Sequence, residues 1–251
     1  MVIPARHAST RLPGKVLLPI GGKPMLQWVH ERAGAAGAAE VLIATDDERI
    51  MNAARGFGAA ALLTARGHVS GTDRIAEVAQ ARGWAGADIV VNLQGDEPLM
   101  PAAVIAQVAA LLAAEPHADI GTIATPIESL AELMDPSVVK VVTDVRALAL
   151  YFSRAPIPWN RDSAFAGLAS QRNFAGARRH CGIYAYRVAA LLRLAQLPQG
   201  PLEQREKLEQ LRALEHGMRI CVGEAAARPG PDVNTLADLE RVRALIDLPA
   251  R

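Results

Sequence analysis

The sequence is poor in cysteine, poor in aromatic residues and carries no excess of charge of either sign. Its two cysteines, Cys181 and Cys221, lie in no spacing that suggests a zinc site. Two are also too few for a disulfide framework, so free thiols in a reducing cytoplasm are expected. Aromatic residues make up 4% of the chain, which leaves few platforms on which single-stranded nucleic acid would stack. Lys and Arg number 27 against 26 Asp and Glu, so no overall field draws the protein to nucleic acid or to a membrane surface. No charged leader precedes an apolar core at the N-terminus, and no apolar run approaches the roughly 18 residues of a membrane span. The expectation is a cytoplasmic protein with neither nucleic acid nor membrane as partner, in which any affinity for phosphate is local.

What is present is a large apolar fraction, 51% of 251 residues, enough for one sizeable core. Short apolar runs alternate with helical periodicity through the first half. That pattern predicts an α/β fold, a Rossmann-like, mostly parallel sheet with helices on both faces. Strands are predicted at Val2 to Ile3, Val41 to Ala44, Ala60 to Leu63, Ile89 to Leu93 and Ile120 to Ala124. The chain begins inside the first of these, with Pro4 following at once, and a few strand residues are expected to be missing before it. Helices are predicted from Pro24 to Gly37, from Asp47 to Phe57, after Thr72 and from Pro101 to Ala113. Beyond Thr143 the pattern changes. Apolar runs at Ala147 to Phe152 and Ile183 to Tyr186 flank a Gly, Ala and Arg-rich stretch from Asp162 to Arg179, read as a surface loop. Glu203 to His216 reads as one helix with Leu208, Leu211 and Leu214 three apart, and Asp238 to Ile246 as another. With no repeat or long linker, residues 1–251 are expected to form a single domain with an inserted subdomain at 145–215.

Two segments carry the residue types of phosphate chemistry. Arg6, Arg11 and Lys15 stand within ten residues after the first strand, with Ser9, Thr10 and Gly14 between them. Small residues let backbone N–H groups approach phosphate oxygens, and the cations neutralise a polyanion. The second segment, Asn92-Leu93-Gln94-Gly95-Asp96-Glu97-Pro98, follows the fourth predicted strand. In an open parallel sheet that end meets ligands, and Asp96 there is placed to hold a hard divalent cation. Neither GxxxxGK[ST] nor GxGxxG stands in the right context, so a dinucleotide cofactor is not indicated.

The string PARxxSTRLPGK followed by GGKPM resembles the signature loop of the cytidylyltransferases that activate acidic sugars, and VNLQGDEPLMP resembles the signature of the 3-deoxy-manno-octulosonate (Kdo) cytidylyltransferases. Further likeness runs in order along nearly the whole chain. It includes Ala44 to Asp47, Ser70-Gly71-Thr72-Asp73-Arg74, Val139 to Val142, Ala149 to Trp159, His180 to Arg187, Pro201-Leu202-Glu203 and Leu208 to Arg212. The resemblance implies a fold of the nucleotide-diphospho-sugar transferase type. It implies an enzyme that transfers CMP from CTP to Kdo with magnesium as cofactor, giving CMP-Kdo for lipopolysaccharide synthesis and pyrophosphate. Arg6, Ser9, Arg11, Lys15, Ser70 and Arg74 are then expected on CTP, with Lys15, Asp96 and Arg11 catalytic. Arg154 or His180 is expected to face the sugar carboxylate, and Gln94, Tyr184, Glu209 and Gln210 its hydroxyls. A homodimer is implied, with an intersubunit arm from Ala149 to Trp159 and Ile183 to Tyr186.

The likeness breaks near the C-terminus. Where the family carries an Asp read as a second metal ligand, this chain has Asn234, a neutral and weaker oxygen donor. Asp232, two residues earlier, points to the same side of an extended segment and is the alternative ligand. No general base stands out. The rival readings are a cytidylyltransferase for another acidic sugar, 8-amino or sialic-acid-like, and a non-catalytic nucleotide-binding relative.

Overall fold

The computed structural model describes residues 1–9, 11–68, 70–163 and 171–247. The chain opens with β1 (Val2–Ala5), every residue of it buried. A small hairpin of β2 (Pro19–Ile20) and β3 (Lys23–Pro24) leads into α1 (Met25–Ala35), and Gly37, at φ +76°, turns the chain away beyond it. Next come β4 (Leu42–Thr45), α2 (Glu48–Gly56), β5 (Ala60–Leu63), α3 (Gly71–Arg82), β6 (Ile89–Asn92), α4 (Ala102–Ala114) and β7 (Ile120–Pro126). Each strand and helix predicted in this half is present, shifted by a residue or two at its ends. Two starts have a visible cause: Asp47 caps α2 by accepting from Arg49 N, and Ser70 and Asp73 form a reciprocal capping box on α3.

The second half holds α5 (Leu130–Met134), β8 (Lys140–Thr143), β9 (Ala149–Ser153), β10 (Arg178–Arg187), α6 (Val188–Gln196), α7 (Pro201–Glu206), α8 (Gln210–Glu215), β11 (Ile220–Glu224) and α9 (Leu236–Asp247). Of the loop predicted from Asp162 to Arg179, residues 164–170 lie outside the described residues, and Arg178 and Arg179 already belong to β10. The single helix predicted over Glu203 to His216 is in fact two. Lys207, at φ +54°, breaks it. The reason lies in a buried ion pair: Arg212 Nε and Nη2 donate to Glu203 at 2.8 and 2.6 Å. Nine residues along one helix would separate the two by about 13 Å, so the chain must turn for them to meet.

The principal sheet runs β11-β7-β10-β6-β1-β4-β5, with β8 and β9 attached through β10. Within that path only β10 is antiparallel to its neighbours. The run Ile183 to Tyr186 is thus held between β6 and β7 inside the protomer, which corrects its expected place in an intersubunit arm. Alternate strand residues enter opposite cores. Ile3, Ile43 and Val91 pack with α1, α4 and α9 on one face. Val2, Leu42 and Val90 pack with α3, α6 and α8 on the other. Burial on both faces explains why these strands read as continuous apolar runs. No helix among the described residues is long and apolar enough to cross a membrane, and both cysteines are free and buried.

Candidate active site

From β1 the chain builds the sheet outwards through β4 and β5, then returns to lay β6 on the other side of β1. At such a reversal the loops leaving the strands diverge and open a crevice. The basic loop leaves β1, and Gln94 to Glu97 leave β6. Gly95 lets them come together, since a Cβ there would lie 3.1 Å from the Pro4 carbonyl.

The basic loop is wound around His7, whose carbonyl accepts from Ser9 N and Gly14 N, each at 2.9 Å. Gly14 packs against the His7 ring, and its φ of +67° is a conformation that calls for glycine. Thr10 lies outside the described residues. The turn after Gly14 delivers Lys15, whose Nζ donates to Asp96 Oδ2 at 2.5 Å, to the Val233 carbonyl at 2.9 Å and to Asn234 Oδ1 at 3.0 Å. Arg11 donates to the same Asn234 oxygen at 2.9 Å, and the Asn234 amide N–H donates to Asp232. Val233 N in turn donates to the Asp96 carbonyl at 2.9 Å.

Two cavities meet here. The smaller, of about 360 Å³, has all six of the expected nucleotide residues on its wall: Arg6, Ser9, Arg11, Lys15, Ser70 and Arg74. The larger, of about 590 Å³, contains Arg154, His180 and Asp232. Arg11, Gln94, Asp96 and Asn234 line both. The remaining expected sugar residues, Tyr184, Glu209 and Gln210, line a recess of about 50 Å³ that also touches Gln94.

Several of these side chains are already engaged. Arg74, 4% exposed, donates to Asp46 at 3.0 Å and to the Thr64 hydroxyl, so it ties together the ends of β4 and β5. Ser70 caps α3 and donates to Glu209 at 3.3 Å. Burial raises the Glu209 carboxyl above its ordinary range, so its helix does not present it as a solvated charge. His180 stands in an aromatic cluster, with ring centroids 5.0 Å from Phe152 and 5.2 Å from Tyr184. Because the Thr122 hydroxyl donates to the Ile183 carbonyl at 2.8 Å, it is left to accept from His180 Nε2 at 2.9 Å. Burial lowers the His180 pKa to about 3. The ring is therefore neutral, and of the two residues expected to meet a sugar carboxylate only Arg154 brings charge. Its Nε and Nη1 donate to the carbonyls of Glu206 and Pro136 at 2.7 and 2.9 Å.

No three His, Cys, Asp or Glu side chains among the described residues gather as a metal cage. Asp96, Asn234 Oδ1 and the Val233 carbonyl nevertheless converge on one cation, the Lys15 ammonium. This is a set of hard oxygen donors, the kind that suits magnesium when substrate phosphates complete the shell.

The sequence model of the cytidylyltransferases matches residues 1–220. The chain belongs to the cytidylyltransferase family. This cytidylyltransferase is 54% identical over 246 residues to the 3-deoxy-manno-octulosonate cytidylyltransferase of Thioalkalivibrio sulfidiphilus, covering 98% of each chain. It is 54% identical over 247 residues to the protein of the same name from Pseudomonas fluorescens, covering 98% of this chain and 97% of that one. Among solved structures, a CMP:2-keto-3-deoxy-manno-octonic acid synthetase complexed with CTP superposes with a TM-score of 0.87 at 47% identity, over 98% of this chain and 96% of that one. A cytidylyltransferase from Leptospira borgpetersenii, 18% identical, shares the fold with a TM-score of 0.61 over 98% of this chain and 84% of that one.

The cytidylyltransferase cleft also contains residues that sequence reasoning passed over. Arg179 lines the larger cavity beside Arg154, held only loosely by Glu132 at 3.5 Å. It was hidden inside the stretch read as loop. Glu97 lines the same cavity, and its Oε2 is shut off from solvent without a hydrogen-bond partner among the described residues. Desolvation, with Asp96 and Asp232 nearby, pushes the Glu97 carboxyl well above the ordinary range. Asp46 was legible only as part of the run Ala44 to Asp47, without its partner Arg74.

Proposed function

We infer that this chain transfers CMP from CTP to 3-deoxy-manno-octulosonate, forming the bond between the anomeric oxygen of the sugar and the α-phosphorus and releasing pyrophosphate. The observation that carries this reading is the pair of cavities joined along Arg11, Gln94, Asp96 and Asn234. Two substrates lodged in them meet beside Lys15 and Asp96. Nucleotidyl transfer of this kind depends on placement and on charge more than on covalent help from the protein. Arg6, Arg11 and Lys15 bind the triphosphate and take up the charge that passes to the departing pyrophosphate. Ser9 and Ser70 are assigned to the nucleotide. Arg74, neutralised by Asp46, shapes the wall behind it.

On the sugar side, Arg154 or Arg179 meets the carboxylate. His180 contributes a neutral ring, and Gln94, Tyr184, Glu209 and Gln210 are assigned to the hydroxyls. Magnesium is the proposed cofactor, held by Asp96 with Asn234 or Asp232 as the further protein donor. When bound it neutralises phosphate oxygens near the point of transfer. A homodimer in the cytoplasm is proposed, with exposed Leu150 and Trp159 of the arm at its interface; sedimentation at micromolar concentration tests the dimer.

The deciding experiment is pyrophosphate release from CTP and magnesium across a panel of acidic sugars. Release is expected with Kdo, whose CMP derivative serves lipopolysaccharide synthesis, in preference to 8-amino and sialic-acid-like analogues. Release with none of them, while CTP still binds, would leave a non-catalytic nucleotide-binding protein.

A further inference from the structure

Lys140 is among the largest fully buried side chains of the described residues, with no exposure to solvent. No carboxylate among the described residues pairs with it. Its Nζ donates to the carbonyls of Asp135, Val138 and Arg154, at 2.9, 2.5 and 2.7 Å. An ammonium has three N–H donors, and here each has one carbonyl. Burying a charge is costly, and an apolar side chain of the same length would fill the space at lower cost unless the carbonyls themselves had to be held. Two of the three belong to residues on the wall of the larger cavity, and the third lies just before it in the chain. Val138 and Arg154 line it directly, and Asp135 begins the turn that carries Pro136 and Ser137.

The contacts close into a ring. Arg154 Nη1 donates to the Pro136 carbonyl at 2.9 Å, while Lys140 holds the carbonyl of Arg154 and those on either side of Pro136. Arg154 N is fixed independently by Glu206, at 2.9 Å. Strand pairing extends the same lattice, because Lys140 lies opposite both Ser153 on β9 and Arg179 on β10. Two of the guanidinium groups of the larger cavity, Arg154 and Arg179, thus hang from backbone registered on Lys140.

We propose that Lys140 is a positioning residue for the acidic sugar: by gathering the carbonyls of two wall residues and of Asp135 beside them on one buried ammonium, it sets Arg154 where that side chain meets the sugar carboxylate. The proposal rests on the assignment of the larger cavity to the sugar. It places Lys140 in no contact with either substrate. The ammonium also turns three carbonyl oxygens inward, away from an anion they would repel.

The test is steady-state kinetics with each substrate varied separately, on wild type, Lys140→Met, Arg154→Ala and the double variant. Lys140→Met is expected to raise the KM for the sugar about tenfold or more, the cost of stranding buried carbonyls, while the KM for CTP stays within about twofold. The double variant should be about as impaired as the worse single one, because both losses act through Arg154. Amide hydrogen exchange in Lys140→Met should quicken at 135–139 and 153–155 and not in the loop from Arg6 to Lys15. A folded Lys140→Met with unchanged sugar KM, a parallel rise for both substrates, or multiplying effects in the double variant would overturn the proposal. If Lys140→Met does not fold, Lys140→Arg replaces it. It keeps the charge, cannot seat three donors on those carbonyls, and is held to the same outcomes. Failure of the underlying assignment shows separately, as wild-type protein that releases no pyrophosphate with any acidic sugar; the exchange pattern then decides the clamp by itself.

Discussion

Lys15 Nζ lies 2.5 Å from Asp96 Oδ2, although 81 positions separate the two residues. Each leaves a different strand of the crevice, and each is about four-fifths or more withdrawn from solvent. Removing one strands the other as a charge facing the reaction. Asp96→Ala is expected to lower turnover by about 10²-fold or more with the fold retained. Pyrophosphate release over a magnesium titration, beside circular dichroism, measures both. Near-normal rates in raised magnesium would remove Asp96 from the metal site.

Asn234 offers its oxygen to Arg11 and Lys15 and its amide hydrogen to Asp232. Asn234→Asp keeps the shape and adds a charge where a cation is already held. Half-saturating magnesium should fall about tenfold, the gain of replacing a neutral oxygen donor by a carboxylate. An unchanged magnesium requirement would show that the substitution has no bearing on the metal.

The pKa of His180 is lowered to about 3, whereas the unfolded chain protonates it near 6.5. Stability from its neutral burial is complete above pH 6.5 and drains away as pH falls towards 3, because only the unfolded state takes up the proton. Between pH 7 and 5 the loss is about 2 kcal/mol. His180→Gln keeps a donor for Thr122 and removes the titration. The stability gap between wild type and variant should therefore close by about that amount as pH drops from 7 to 5. A gap constant over this range, by denaturant unfolding, would show that His180 is accessible to protons.

The Glu203 and Arg212 pair is bidentate and almost fully buried. Arg212→Met alone is expected to cost about 3–5 kcal/mol, because it leaves Glu203 charged in the core. Adding Glu203→Leu should recover most of that loss. If the double variant is the less stable one, the pair contributes more than its desolvation costs.

Most of the first half of the fold was legible because its parallel strands, covered on both faces, appear as apolar blocks between helical patterns. β8, β10 and β11 were harder. β10 runs against its neighbours and begins with Arg178 and Arg179, so its opening looks like the polar loop before it. The break at Lys207 was invisible because its cause, Glu203 reaching Arg212, is tertiary. The six residues read as nucleotide ligands line one cavity, four from the segment that follows β1 and two from the start of α3, which follows β5. What spacing could not disclose was which cations are free. Arg74 is spent on Asp46, His180 is neutral, and Arg179 emerged only once its strand was placed.

The Asp232 to Asn234 segment closes the crevice by bonding to Asp96, Lys15 and Arg11, yet it is made after every strand of the sheet. The two cavities therefore meet on a stretch that belongs to no strand, and local opening there would part it from Lys15, Arg11 and Asp96 without breaking a single strand pairing of the sheet.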